Sequence, residues 1–246
     1  TCALATVALH DDTRTSTLDT IGRLYSQIKD RDDVIIALQT EDIIRVKKEG
    51  KFAIVLAFQS GAALDRSIDM IEVYYRLGVR SMNLAYNQAE AAADGCSEPR
   101  NAGLTLFGHQ VIPEMNRVGM LLDLSHTGHR ATMEAMDLSD APVTFSHSNA
   151  KSLYDHPRNL ADDQILRCVE RDGVIGLNGH PAFIKAGTAA PSLDDYVSHI
   201  DTMVDKAGID HVGIGLDFSH PPGHQMPPSR YAKLIAQGIF TTRTLP

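Results

Sequence analysis

The sequence predicts an α/β fold, a (β/α)8 or TIM barrel, and three observations predict it. Short apolar runs alternate with longer amphipathic stretches, the pattern of strands buried on both faces of a parallel sheet and of the helices that cover it. The 246 residues, 43% hydrophobic and 22% charged, suffice for one large core. No internal repeat, low-complexity tract or linker interrupts the alternation, so a single domain over 1–246 is expected.

Seven runs read as strands: Cys2 to Leu9, Phe52 to Phe58, Arg80 to Ala85, Met120 to Leu124, Pro142 to Ser146, Val174 to Asn178 and His211 to Leu216. Between them the apolar spacing predicts helices over Ser16 to Lys29, Thr40 to Glu49, Ser67 to Leu77, Thr105 to Val118, Arg130 to Leu138, Asp162 to Arg171 and Leu193 to Ala207. Gly50 and Gly78 stand just past helix ends, where a left-handed residue costs little. Ser192, with an acid three residues on, is a helix N-cap. A closed barrel needs an eighth strand, and the chain opens directly inside one, so the first strand is expected before Thr1. Tyr231 to Gly238 begins a helix shortly before Pro246, and the last helices are expected beyond it.

The net charge of −8 and pI near 5.7, without a clustered basic face, argue against a nucleic-acid partner. No apolar run approaches the roughly 20 residues that span a bilayer, and no leader is visible, so a soluble chain is expected, with cytoplasm and periplasm both open. Cys2, Cys96 and Cys168 are too scattered for a disulfide framework or a cysteine zinc site.

In such barrels the reacting groups sit at the carboxyl ends of strands and in the loops that follow. That rule selects Gln59, Tyr86 with Asn87, His126, His147, Asn178 with His180, and Asp217, and leaves Asp123 inside its strand. His126 and His147 share one local form, an apolar strand followed by Ser-His, and neutral imidazole is a good zinc ligand; the alternative for each is a strand cap bonded to backbone. Asp217 is the candidate general acid or base, with an N-cap role as its alternative. Arg158 can grip a carboxylate in a two-pronged fashion, or form a surface salt bridge. His109, His129, His199 and His211 fall on helices or at the wrong rim. His180, His220 and His224 lie in catalytic-side loops as weaker candidates. Leu9-His10-Asp11-Asp12 has the look of a His-x-Asp metal pair, but the spacing to the next helix reads better as a loop start.

These residues sit within stretches that resemble the renal (membrane) dipeptidase family, peptidase family M19, a relative of the amidohydrolase barrels. The resemblance is densest in Asp94-Gly95-Cys96-Ser97-Glu98, Gly103-Leu104-Thr105-Leu106-Phe107-Gly108 and Glu114-Met115-Asn116-Arg117-Val118-Gly119-Met120. It continues in Asp123-Leu124-Ser125-His126, Pro142 to Ala150, Pro157-Arg158-Asn159-Leu160 and Gly213-Ile214-Gly215-Leu216-Asp217. It implies that His126 and His147 are ligands of the second zinc, Arg158 the arginine for the substrate carboxylate, and Asp217 the aspartate that transfers the proton. Members use two zinc ions that share a bridging carboxylate and a hydroxide, which attacks the peptide carbonyl of a dipeptide.

Three departures qualify the transfer. Gln59 stands at the bridging glutamate; it offers one carbonyl oxygen and no charge against the repulsion of two divalent ions about 3.5–4 Å apart. The family's His-x-Asp pair belongs to the strand expected before Thr1. Tyr86 replaces the histidine that steadies the intermediate, and can donate a hydrogen bond but carries no positive charge near neutral pH. The expectation is a metal-dependent hydrolase cleaving the amide of a dipeptide-like small substrate. Catalysis is assigned to Asp217 and Tyr86, substrate binding to Arg158, Tyr86 and Asn178, and metal binding to His126, His147 and Gln59, with one zinc ion favoured over two or none. The alternative is a degenerate member acting as a small-molecule binding protein or metal-free enzyme. A homodimer is left open.

Overall fold

The computed structural model describes residues 2–187 and 190–218. The helix expected from Tyr231 and the loop histidines His220 and His224 lie outside the described residues. The chain divides into two compact units at Pro142/Val143.

The first unit carries β1 (Cys2–Ala8), β2 (Val34–Ile36), β3 (Phe52–Phe58), β4 (Val79–Asn83) and β5 (Leu121–Asp123). They alternate with α1 (Arg14–Ile28), α2 (Thr40–Lys48), α3 (Asp69–Arg76), α4 (Leu106–Val118) and α5 (His129–Leu138). All its strand pairs are parallel, β1 with β3, β3 with β4 and β4 with β5. The apolar run Phe52–Phe58 is the hub of this unit. One edge of β3 pairs with β1 from Ala53 to Phe58, and the other is shared by β2 at Phe52–Ile54 and β4 at Leu56–Phe58. β2 is the strand that the sequence pattern missed. Helices cover the strands because their apolar positions recur on one face: Ile71 and Tyr74 on α3 and Val111, Ile112 and Met115 on α4 are buried. Tyr74 packs edge-on against Phe58 at 4.8 Å and donates its hydroxyl to Ala63 O at 3.1 Å, so its polar end is satisfied inside the core.

The second unit carries β6 (Val143–Phe145), β7 (Val174–Leu177) and β8 (Val212–Ile214), again in parallel, with α6 (Asp162–Glu170) and α7 (Leu193–Ala207). Phe145, Ile165, Cys168, Ile175, Leu177 and Met203 are fully buried. Truncating a core side chain such as Phe145 to alanine costs about 3–5 kcal/mol.

Helix ends follow local chemistry. Thr105 caps α4 by accepting Gly108 N–H at 3.1 Å, and Ser192 and Asp195 cap α7 reciprocally at 3.1 and 2.8 Å. Gly50 and Gly78 adopt φ of +69° and +102° past α2 and α3, as the sequence predicts. Observed elements are mostly shorter than the sequence runs. β8, for example, ends at Ile214 instead of Leu216, leaving Asp217 in the loop beyond it.

Candidate active site

Each unit gathers polar side chains at the carboxyl ends of its strands. In the first, β3 ends at Phe58, and Gln59 follows with its N–H bonded to Ala8 O at 3.0 Å. The next residue, Ser60, donates its hydroxyl to Glu90 Oε2 at 2.6 Å, while Tyr86 N–H donates to Glu90 Oε1 at 2.8 Å. One carboxyl therefore ties the chain beyond β3 to the chain beyond β4. Burial pushes Glu90 up to about 7, against the lowering effect of its Ser60 and Tyr86 hydrogen bonds.

Tyr86 lies between two imidazoles. Its ring stacks on His10 at 4.9 Å and on His126 at 4.2 Å between centroids. His10 reaches that position from a turn. Asp12 accepts Leu9 N–H at 2.8 Å and Ser16 Oγ–H at 2.8 Å, so the Leu9–Asp12 segment is the loop start that its spacing suggests. Asp123 closes β5 and accepts Ser125 N–H at 3.0 Å, a structural use at the strand end.

His126 is buried at φ +67°, with Nδ1 2.8 Å from Asn87 Oδ1. An amide oxygen only accepts, so the ring donates from Nδ1 in this contact. The Asp94–Glu98 motif braces this corner. The Asp94 carboxyl is held well below its ordinary range by the Arg100 guanidinium at 2.6 Å, and it also accepts Ala102 N–H.

In the second unit, His147 is buried, with Nδ1 2.6 Å from Ser146 Oγ. Its carbonyl collects Arg158 Nη2 at 3.1 Å and Asn178 Nδ2 at 3.4 Å, and the same Asn178 amide donates to Asp217 Oδ2 at 3.2 Å. Arg158, Asn178 and Asp217, singled out from three different stretches of sequence, are thus joined through one carbonyl and one amide. Arg158 is buried, which sets aside the surface salt bridge.

Around Arg158 the sequence reading undervalued three rings. His156 accepts Arg158 N–H on Nδ1 at 3.1 Å, His180 accepts Ala182 N–H on Nδ1 at 3.2 Å, and Phe183 packs against both. Burial, assisted by the Arg158 charge, pushes His156 down to about 4; burial also lowers His180, against the pull of Asp217. Both rings are therefore neutral near pH 7. The position of His180, two residues past Asn178 at a strand end, was the available signal. Nothing in the local sequence marked Ser60 or Glu90. His199 proves structural, accepting Ala150 N–H and bonding Ile184 O at 2.9 Å inside the core.

Among the described residues, no three His, Cys, Asp or Glu side chains form a group that could hold a metal ion. The rings of His126 and His147 are each held at Nδ1 by a side-chain oxygen, Asn87 Oδ1 and Ser146 Oγ. Gln59 carries a neutral amide and no carboxylate. No helix among the described residues is long and apolar enough to cross a membrane.

Comparison with known proteins identifies the family. A family model described as membrane dipeptidase (peptidase family M19) matches residues 1–239. An uncharacterized dipeptidase of Schizosaccharomyces pombe is 39% identical over 210 residues, 81% of this chain and 50% of that protein. Dipeptidase tcpJ of Claviceps purpurea is 30% identical over 233 residues, 91% of this chain and 54% of that protein. The chain thus spans about half the length of the curated relatives it matches. Among solved structures, an amidohydrolase from Pseudomonas aeruginosa superposes with a TM-score of 0.85 at 34% identity, covering 92% of this chain and 68% of that one. A metallopeptidase from Rhodobacter sphaeroides, liganded with a phosphinate mimic of the dipeptide L-Ala-D-Ala, gives 0.78 at 25%, covering 94% and 71%. The fold is accordingly of the amidohydrolase (β/α) barrel class, and with the family match running through both groups of strand ends, the chain belongs to the membrane dipeptidase family, peptidase family M19.

Proposed function

We propose that the protein is a metal-dependent hydrolase of the dipeptidase type, cleaving the amide bond of a dipeptide or a similar small substrate. The observation that carries this reading is the joining of buried Arg158 to Asp217 through His147 O and Asn178. A guanidinium that binds a carboxylate and a carboxylate that moves a proton, held a fixed distance apart, suit a substrate with a free C-terminus near its scissile bond. Likeness to a metallopeptidase that binds a dipeptide mimic supports the same substrate class.

In this reading Arg158 grips the substrate carboxylate bidentately, in surroundings where His156 and His180 remain neutral and so present no competing positive charge. Asp217 accepts a proton from water and returns it to the leaving amine, and Asn178 keeps its Oδ2 in the working orientation. The Tyr86 hydroxyl donates a hydrogen bond to the oxyanion as it forms, its ring fixed between His10 and His126. By the resemblance of their motifs to those of the family, His126, His147 and Gln59 are the residues we propose as zinc ligands. The ion would polarise the carbonyl and acidify a water. The neutral Gln59 favours one ion over two.

The test is a panel of dipeptides assayed beside the same dipeptides amidated at the C-terminus. Hydrolysis of the free acids alone is expected; equal rates on both sets remove the role of Arg158. Gln59 also supports a second reading, a family member without two-metal chemistry that binds a small molecule or works without metal. Gln59→Glu raising metal content and hydrolysis speaks for the first reading, and no gain in either speaks for the second.

A further inference from the structure

The ladder between β3 and β4 ends at Phe58 and Met82. Beyond it, Gln59 N–H turns toward β1 and donates to Ala8 O at 3.0 Å. Past β4 the backbone tightens into a three-residue turn, in which Gln88 N–H returns to the Tyr86 carbonyl at 2.7 Å and Asn87 holds a left-handed φ of +63°. A residue with a side chain keeps such a conformation only where its surroundings fix it. The Glu90 carboxyl reaches across both segments, one oxygen accepting the Ser60 hydroxyl at 2.6 Å and the other Tyr86 N–H at 2.8 Å. Among the described residues no cation pairs with Glu90, so these two donors set its orientation.

A single hydrogen bond leaves its donor room to swing, whereas a carboxyl that accepts on both oxygens fixes its two donors relative to each other. Here it fixes the entry of Tyr86 into a stack. The ring lies between His10 and His126, with centroids 4.9 and 4.2 Å away. Stacked rings tolerate lateral offset, so the stack sets the tilt of the Tyr86 ring and the backbone sets how far the ring reaches. Resting on the reading that gives Tyr86 a part in catalysis, we infer that Glu90 is a positioning residue for the reaction, holding Tyr86 at a set place relative to the chain beyond β3 through Ser60.

Bracing of the loop alone does not call for the carboxyl. The loop that carries Glu90 closes through backbone bonds, Glu90 N–H to Ala93 O and Gly95 N–H to Gln88 O, both at 2.9 Å. The turn after β3 is held by Ala62 N–H on Ser60 Oγ, also at 2.9 Å. All three survive loss of the Glu90 side chain. Glu90→Ala removes both acceptors, while Glu90→Gln keeps an oxygen for Tyr86 N–H and offers an NH2 to Ser60 Oγ.

The experiment compares wild type, E90A and E90Q by 1H–13C NMR of the tyrosine rings, with Tyr86 assigned through Tyr86→Phe, and by kcat and KM on a dipeptide. The Tyr86 ring protons, shielded between two imidazoles, should move toward the positions of an unstacked tyrosine in E90A and stay in place in E90Q. In E90A kcat should fall about 10–100-fold with KM nearly unchanged, and E90Q should keep the wild-type kcat. Wild-type Tyr86 resonances in E90A overturn the inference, as does an E90Q protein that matches E90A. A moved Tyr86 with unchanged kcat overturns the link to the reaction. If E90A fails to fold, Ser60→Ala unties one arm of the same contact, and an unmoved Tyr86 resonance there overturns the inference. If the resonances follow Glu90 but Y86F hydrolyses dipeptides as fast as the wild type, the positioning of Tyr86 stands and its catalytic role under Proposed function falls.

Discussion

Replacing Glu90 by glutamine should change how stability depends on pH, and the direction follows from its surroundings. Burial raises this carboxyl from its ordinary 4.5 to about 7 in the folded protein. A carboxyl whose folded value is raised is easier to protonate folded than unfolded, so its contribution is fully present below pH 4.5 and is lost as pH rises through 7. At about 1.4 kcal/mol per pH unit, the loss between those limits is about 3 kcal/mol. Glu90→Gln keeps an oxygen for Tyr86 N–H and places an NH2 beside Ser60 Oγ, so the two contacts can persist without the charge. Urea denaturation at pH 5, 6, 7 and 8, followed by fluorescence, gives the difference. The wild type should lose stability across this range relative to E90Q, with most of the loss between pH 5 and 7 and little above. Parallel pH profiles for the two proteins would show that Glu90 ionises like an exposed carboxylate, and would refute the reasoning.

Other perturbations test the site and its supports. Gly95→Ala places a Cβ 2.1 Å from the Asn87 carbonyl carbon and 2.5 Å from Gln88 N, backbone atoms that cannot yield cheaply, and should cost about 1–3 kcal/mol or more by thermal denaturation. Arg158→Lys exchanges a planar fork for a point charge and should raise KM for free-acid dipeptides about 10–100-fold with a smaller change in kcat, since charged hydrogen bonds contribute about 1.5–3 kcal/mol. Asp217→Asn should lower kcat about 10²–10⁴-fold with KM nearly unchanged, measured at saturating dipeptide; an unaffected kcat would move proton transfer to another group.

The long apolar strands and capped helices were legible because periodicity and end chemistry agree there. Phe52–Phe58 reads as a buried strand from composition alone, and α7 was bounded correctly by Ser192 and Ala207. β2 was not legible. Its three residues are only half-buried, follow the charged run Asp30–Asp33, and are strands chiefly because β3 has an edge for them. Strand-end position selects Gln59, Tyr86, Asn87, His126, His147, Asn178, His180 and Asp217, since local sequence sets where a strand stops. It did not find Glu90, whose importance comes from contacts 4 and 30 residues away, nor the ring cluster of His156 and Phe183, which exists only once the chain beyond β7 folds back. A side chain's pattern in sequence announces its element; its partners in space are set by tertiary packing.

The most direct test of the hydrolase account is dipeptide hydrolysis by protein stripped with chelator and then titrated with zinc. The account predicts that activity vanishes on stripping and returns with a stoichiometry near one ion per chain, and that His126→Gln and His147→Gln each abolish the return. Undiminished hydrolysis in the stripped protein would contradict it.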